Sequence, residues 1–324
     1  MRADATSIDE LALSTHGHAQ MSRPADRPPS RPAPALSTPP TGLVSAPETR
    51  EFHFSRHDFD RIRKLIYQRA GISLSEAKQD MVYSRLARRL RARGLQRFSD
   101  YLALLNDGDK AEWEAFTNAL TTNLTAFFRE AHHFPMLAEH ALCHLGRRYD
   151  VWCCACSTGE EPYSIAITLA EAFARLNPPM SILASDLDTQ VLSKAAEGIY
   201  PIERIERVDA DRVRRFFQRG TGAQAGQVRV RPELRNSVSF RRINLLEQSW
   251  PVAGPFDAIF CRNVMIYFDK HTQASILRRF APLLRPDGLL FVGHSESLFH
   301  VSDVFRLRGK TVYELVHPNV RDIG

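Results

Sequence analysis

No stretch of this sequence approaches the ~18 consecutive apolar residues of a membrane helix, and the N-terminus lacks the basic segment and apolar core of a secretion signal. The cytoplasm is therefore the expected compartment, with no direct membrane insertion. Cysteine is scarce: five in 324 residues, three of them crowded at Cys153, Cys154 and Cys156. Adjacent strand residues point to opposite faces, so this cluster reads as buried, reduced thiols and not as a disulfide framework. Bulky apolar residues are nearly missing from residues 1–48, which are rich in Pro, Ser, Ala and Thr; this tail is expected to be disordered. Acidic residues are outnumbered, giving a net charge of +6, which suggests an acidic partner without separating nucleic acid from protein.

What is present divides the chain. Over 49–125 the apolar residues fall at helical spacing: Phe59, Ile62, Leu65 and Ile66, then Val82, Leu86 and Leu90, then Tyr101, Leu102 and Leu105, then Trp113, Phe116 and Leu120. A small all-helical domain is expected there. A linker over 126–149 carries Pro135, suited to the first turn of a helix running to about residue 145. From 150 to 324 strand and helix alternate: strands at 151–156, 181–185 and 256–261, helices at 164–176, 189–196 and 271–284. Two further strands are read at 289–292 and 311–316, the last antiparallel. The expected fold class is α/β, a mostly parallel sheet covered by helices. Within it, Gly220, Gly222 and Gly226 precede the strictly alternating Val228-Arg229-Val230-Arg231, which marks an inserted antiparallel β subdomain over about 200–237.

The turn Ser157-Thr158-Gly159-Glu160-Glu161-Pro162 holds two carboxylates where a dinucleotide site would hold glycines. Acids repel a pyrophosphate and favour a cation, and S-adenosylmethionine has an ammonium, a sulfonium and no phosphate. Helix capping explains the same pair for ~0.3–1 kcal/mol each. Asp186 then ends the second strand where doubly wound folds hold a ribose diol. The apolar run 256–260 breaks at Cys261-Arg262-Asn263, again at the carboxyl edge. Outside the sheet, Thr121-Thr122-Asn123-Leu124-Thr125 followed by Phe127-Phe128-Arg129-Glu130 is rich in polar side chains for a linker.

Asn123-x-Thr125-x-x-Phe128-Arg129-Glu130, Ser157-Thr158-Gly159-Glu160-Glu161-Pro162-Tyr163-Ser164, Ala184-Ser185-Asp186, Cys261-Arg262-Asn263-Val264-Met265-Ile266-Tyr267-Phe268 and Gly293-His294-Ser295-Glu296 resemble the CheR family, the chemotaxis receptor glutamate methyltransferases. The resemblance runs in order from Phe52 to Val316 and leaves out only the tail. It implies a helical domain joined to a class I (Rossmann-like) methyltransferase domain. It also implies that Asn123, Thr125, Arg129, Glu161, Asp186, Asn244, Leu245, Cys261, Arg262 and Asn263 surround S-adenosylmethionine, with S-adenosylhomocysteine as product. Glu161 is expected to meet the donor ammonium, and Glu160 only to favour the helix start. In some members the β subdomain docks on a peptide at the receptor C-terminus, and Gly220, Gly222 and Gly226 resemble the longer hairpin of those members. The implied substrate is the cytoplasmic methylation region of chemoreceptors, with recruitment to receptor arrays.

From Glu76 to Arg97 the chain carries Lys78, Arg85, Arg88, Arg89, Arg91, Arg93 and Arg97 against only Glu76 and Asp80. On a helical wheel Lys78, Arg85, Arg88, Arg89 and Arg91 lie opposite Val82, Leu86 and Leu90, so they are expected to face solvent. Such a surface suits RNA phosphates or an acidic helical bundle. The resemblance decides for the receptor, so Lys78, Arg85, Arg88 and Arg89 are read as substrate contacts and no nucleic acid partner is expected. An ionised glutamate needs no general base. Arg129 and Tyr267 are the residues expected to shape the catalytic site, Arg129 by holding a carboxylate or supporting the donor pocket and Tyr267 by orienting the nucleophile. Two rivals stand: an RNA methyltransferase using Cys261 as nucleophile, and an adaptor without turnover. His140 and His144 share a helix face, but no complete ligand set at a recognised spacing accompanies them or His132 and His133. No metal is expected.

Overall fold

A computed structural model describes residues 50–316 except Ser302, so the tail read as disordered lies outside the described residues. The first helix, α1 (Arg56–Ala70), starts at a reciprocal cap: the Asp58 N–H donates to Ser55 Oγ at 3.1 Å and the Ser55 N–H to Asp58 Oδ2 at 2.9 Å. It is followed by α2 (Gln79–Arg93), α3 (Phe98–Asn106) and α4 (Lys110–Leu120), the last capped by Asp109. The residues at helical spacing meet in one core, where Phe59, Ile62, Ile66, Val82, Leu86, Leu90, Tyr101, Leu102, Leu105, Phe116 and Leu120 are buried. Leu65 and Trp113 pack at its margin.

The second region begins with α5 (His133–Leu142), β1 (Tyr149–Cys153), α6 (Glu160–Ala172), β2 (Met180–Asp186) and α7 (Thr189–Glu197). Then come β3 (Ile199–Pro201), α8 (Ala210–Phe216), β4 (Phe217–Arg219), β5 (Gln227–Val230) and α9 (Pro232–Arg235). The chain returns to the main sheet with β6 (Val238–Arg242) and continues through β7 (Phe256–Cys261), α10 (Lys270–Phe280), β8 (Leu284–Val292), β9 (Phe305–Gly309) and β10 (Val312–Leu315). The main sheet runs β6-β2-β1-β7-β8-β10-β9, parallel through the first five strands, with β10 antiparallel to both its neighbours. The inserted sheet, β3-β5-β4, is antiparallel. This is the expected α/β architecture, preceded by a small all-helical domain.

Alternation in the central strands feeds two cores. Val151, Cys153, Ile182, Ala258, Phe260, Leu289 and Phe291 face one, with Leu137 of α5 and Ile165 of α6. Trp152, Cys154, Leu183, Ile259, Cys261, Leu290 and Val292 face the other, with Ile276 and Leu277 of α10. The crowded thiols are thus divided between the two sides of the sheet, and all five cysteines are free.

Some elements differ from the expectation. The strand read at 151–156 begins and ends earlier, because the chain leaves the sheet after Cys153; the Cys154 N–H still donates to the Phe260 carbonyl at 2.8 Å. The following helix starts at Glu160 and stops at Ala172, short of the Leu176 end suggested by apolar spacing; Leu176 is exposed and Ala174 takes a positive φ of 52°. The hydrophobic pattern of the sequence marks neither β6 nor β9. Both are edges with mostly solvent-facing residues, and an edge carries little of the hydrophobic pattern that marks a strand.

Candidate active site

The turn after β1 separates its two acids. Gly159, at φ 99°, precedes α6, and a Cβ there would lie 2.7 Å from Tyr200 Oη and 2.9 Å from Ala195 Cβ. Only glycine lets the helix start so close to α7. Glu160 turns toward the β subdomain, fully buried, accepting from Thr158 Oγ1 at 2.6 Å and from the Arg204 guanidinium. Its position in the sequence suggests a helix-start charge alone; the structure adds an ion pair with Arg204 that ties the subdomain to α6. Glu161 turns the other way, accepting the Cys153 thiol proton at 3.3 Å and Arg262 Nη1 at 2.6 Å. Burial pushes the Glu161 carboxyl up, and the Arg262 charge opposes that shift.

At the end of β2, Asp186 Oδ2 accepts the Ser157 N–H at 2.9 Å and Oδ1 accepts the Asp188 N–H at 3.0 Å. Each oxygen retains a lone pair for a further donor. Burial raises the Asp186 carboxyl to about 6, against the pull of those N–H groups. Asp188 caps α7 with one oxygen and with the other accepts from Thr121 Oγ1 and Asn123 Nδ2, each at 2.8 Å. The Asn123 amide is thus held by the protein, and it joins the segment after α4 to the sheet edge.

At the end of β7, Arg262 is buried and tied to three groups: Glu161, Glu130 at 3.3 Å, and the Arg129 carbonyl. Glu130 also accepts from Asn263 Nδ2 at 3.1 Å and the His294 N–H at 3.1 Å. Glu296 accepts the N–H groups of Asn263 at 2.8 Å and Gly293 at 2.6 Å, and burial raises its carboxyl. Phe128, Glu130, Ser157 and Asn263 all carry positive φ, between 48° and 58°. Four such backbones in one neighbourhood mark a site held by its surroundings. The sequence assigns no role to Glu130, Asp188 or Glu296, because the partners that tie them into the site, Arg262, Asn123 and Asn263, lie far along the chain.

Glu161, Asp186, Arg262 and Asn263 border a cavity of about 440 Å³ between the carboxyl edge of the sheet and the helical domain. Asn123, Thr125, Arg129, Glu161, Asp186, Asn244, Leu245, Arg262, Asn263, Tyr267 and Lys78 all line it, as do Ile72 to Ser75 from the segment between α1 and α2. Asn244 Nδ2 donates to the Arg69 carbonyl at 2.9 Å, and the Ser73 N–H to the Tyr267 carbonyl at 3.1 Å, so the helical domain forms one wall. Cys261 does not line the cavity. As the last residue of β7 it points into the core beside Cys154, and burial raises its thiol. The basic arc also differs from expectation. Arg89 makes a bidentate pair with buried Glu112 at 3.0 and 2.7 Å, and Arg85 donates to the Thr121 carbonyl, so both are half-buried supports of the helical core. Arg88 and Lys78 remain exposed without an ion-pair partner among the described residues. Gly220, Gly222 and Gly226 lie in the β4–β5 hairpin and do not line the cavity.

The cavity suits S-adenosylmethionine. Asp186 has spare lone pairs for a diol, Glu161 supplies negative charge for an ammonium, and Leu187, Ile243 and Leu245 give apolar wall for a purine.

Residues 57–121 match the family model described as CheR methyltransferase, all-alpha domain, and residues 123–314 the one described as CheR methyltransferase, SAM binding domain. The chemotaxis protein methyltransferase of Salmonella typhimurium is 57% identical over 86% of this chain and 98% of its own length. Chemotaxis protein methyltransferase 2 of Pseudomonas aeruginosa is 56% identical over 82% and 95%. A chemotaxis protein methyltransferase of Borreliella burgdorferi is 34% identical over 76% and 90%.

Proposed function

The chain belongs to the CheR methyltransferase family and its methyl donor is S-adenosylmethionine; from that premise we propose that it methylates glutamate side chains in the cytoplasmic methylation region of chemoreceptors. The products are γ-glutamyl methyl esters and S-adenosylhomocysteine. The observation that carries the reading is that one cavity joins an acid-lined donor pocket, with Glu161 and Asp186, to a margin holding Arg129 and Tyr267.

The donor supplies an electrophilic methyl group on a positively charged sulfur. Glutamate, with a pKa near ~4.3, is already a nucleophile at neutral pH, so no side chain has to remove a proton. What the protein contributes is alignment and exclusion of water, and well-oriented reactants gain roughly 7–11 kcal/mol of barrier. Arg129 donates through Nη1 to the Leu124 carbonyl at 2.8 Å, which fixes the guanidinium beside the cavity and leaves its other donors for a carboxylate. The Tyr267 hydroxyl has no protein partner among the described residues and can donate to the incoming carboxylate without neutralising it. Lys78 at the cavity margin and exposed Arg88 supply the attraction toward an acidic helical surface.

The partner reading extends to the β subdomain. Edge strand β4 adjoins a groove lined by Ile205, Val208, Val213 and Phe217 and bordered by Arg214 and Arg219, which suits strand addition by a peptide at the receptor C-terminus. The protein would then act at receptor arrays on the cytoplasmic side of the membrane. An RNA substrate is disfavoured, since Arg89, Arg91 and Arg93 are ion-paired and Cys261 is buried. Tandem mass spectrometry of receptors incubated with enzyme and donor tests the reading. A 14-Da gain on glutamates is expected, reduced when the receptor tail is deleted; modification at other residue types contradicts it.

A further inference from the structure

We propose that His140, His144 and Asp287 form a binding site for a divalent transition metal of the zinc class, at the end of the sheet opposite the donor cavity. The pairing is invisible in sequence, because Asp287 lies in β8 while the histidines sit at and just past the end of α5. One ligand atom from each of the three lies within 4.8 Å of the others.

The hydrogen bonds direct both rings at Asp287. His144 Nδ1 is 2.7 Å from the His140 carbonyl, which only accepts, so Nδ1 carries the hydrogen. His144 Nε2 then faces Asp287 Oδ2 at 2.7 Å, and that carboxylate also only accepts. A bare lone pair against an anion is repulsive; the contact calls for a cation between them, a proton or a metal. His140 Nε2 points at the backbone carbonyl of the same Asp287 at 2.9 Å, and its Nδ1 is 2.6 Å from Tyr149 Oη, which can donate or accept. By the same rule that carbonyl places a hydrogen on His140 Nε2 and the Tyr149 hydroxyl donates to Nδ1; metal binding shifts the ring to its other tautomer, which frees Nε2 and lets Nδ1–H donate to Tyr149 Oη. An oxygen partner on each Nδ1 is the arrangement that fixes metal-binding histidines.

Distances and charge agree. Ligands at ~2.0–2.1 Å from a tetrahedral zinc stand roughly 3.3 Å apart, so the cluster needs a movement on the order of 1 Å. Asp287, whose side chain is 57% exposed, can supply it, and solvent can fill the fourth position. Arg147 and Arg285, the nearby cations, are engaged by buried Asp257 at 2.5 and 3.2 Å, which leaves Asp287 to the histidines. A second cluster, Glu130 with His132 and His133, carries no such proposal, because Glu130 is committed to Arg262, Asn263 and the His294 N–H.

The test uses the full chain without an oligohistidine tag, stripped with chelator and titrated with zinc and then cobalt. Saturable uptake of one ion per chain at micromolar metal is expected, with a rise in thermal midpoint and the intense visible absorption of tetrahedral cobalt. His144→Ala and Asp287→Asn should each weaken binding by about tenfold or more and leave methyl transfer unchanged, while His132→Ala binds as the unaltered chain does. Circular dichroism checks folding, and Asp287→Asn, at an exposed side chain, carries the test if His144→Ala does not fold. Absence of saturable uptake, or uptake undiminished in the folded variants, overturns the proposal.

Discussion

Glu161 Oε2 and Arg262 Nη1 lie 2.6 Å apart in the interior, joining the first turn of α6 to the end of β7. Removing one partner of a buried pair leaves an uncompensated charge, at a cost of ~3–5 kcal/mol. Arg262→Ala should therefore destabilise by about that amount in urea unfolding. Adding Glu161→Gln to the same chain should recover part of the loss, since one stranded carboxylate is gone. Strictly additive losses would show that the pair is not coupled.

Asp186 gives the donor site a pH dependence. Its folded carboxyl, at about 6, stands above the ordinary aspartate value of 3.8, so between those values the folded chain binds more protons than the unfolded one. This group's contribution to stability thus falls as pH rises from about 4 to about 6, and recovers as pH is lowered. Donor binding should run the other way, since on the proposed reading the ionised form accepts the diol hydroxyls. Calorimetric affinity for S-adenosylhomocysteine should rise through pH 6 and level off above it. Asp186→Asn should weaken binding and flatten that rise; an unchanged profile in the variant would assign the pH dependence elsewhere.

On the proposed reading Arg129 and Tyr267 divide the work at the reacting end. Tyr267→Phe removes one hydroxyl and should lower the methylation rate by about tenfold or more while donor affinity holds. Arg129→Ala should lower both, because the guanidinium also lies near Glu161. Single-turnover assays with separate donor titrations distinguish these effects. Full rate in both variants would remove the two residues from the mechanism.

Cys261→Ser should retain methyl transfer, since the thiol is buried and does not reach the cavity. A hydroxyl without a partner in that core costs ~1–3 kcal/mol, so the thermal midpoint should fall. Abolished transfer in a folded variant would revive a covalent route.

Much of this was legible in the sequence because it is local. Helical spacing at Phe59, Ile62 and Ile66 or at Val82, Leu86 and Leu90 reports one element's buried face, and the apolar run at 256–261 reports a strand buried on both sides. The acids at the ends of β1 and β2 were legible for a topological reason, as a parallel sheet sends its first loops to one edge. Contacts closing over long separations were not legible. Arg89 read as a solvent-facing cation because Glu112, its buried partner, belongs to another helix. Glu160 read as a helix-start charge because Arg204 lies in the inserted subdomain. The edge strands β6 and β9 escaped because solvent on one side erases their pattern.

The central claim is that the acceptor is a glutamate carboxylate. Incubation of receptor cytoplasmic fragments with enzyme and donor tritiated in the methyl group, followed by mild alkali, reads it directly. Methyl esters release volatile tritiated methanol, and that release is the predicted result, lost when the receptor glutamates are replaced by alanine. Label that stays on the protein after alkali, or that partitions with RNA, would contradict it.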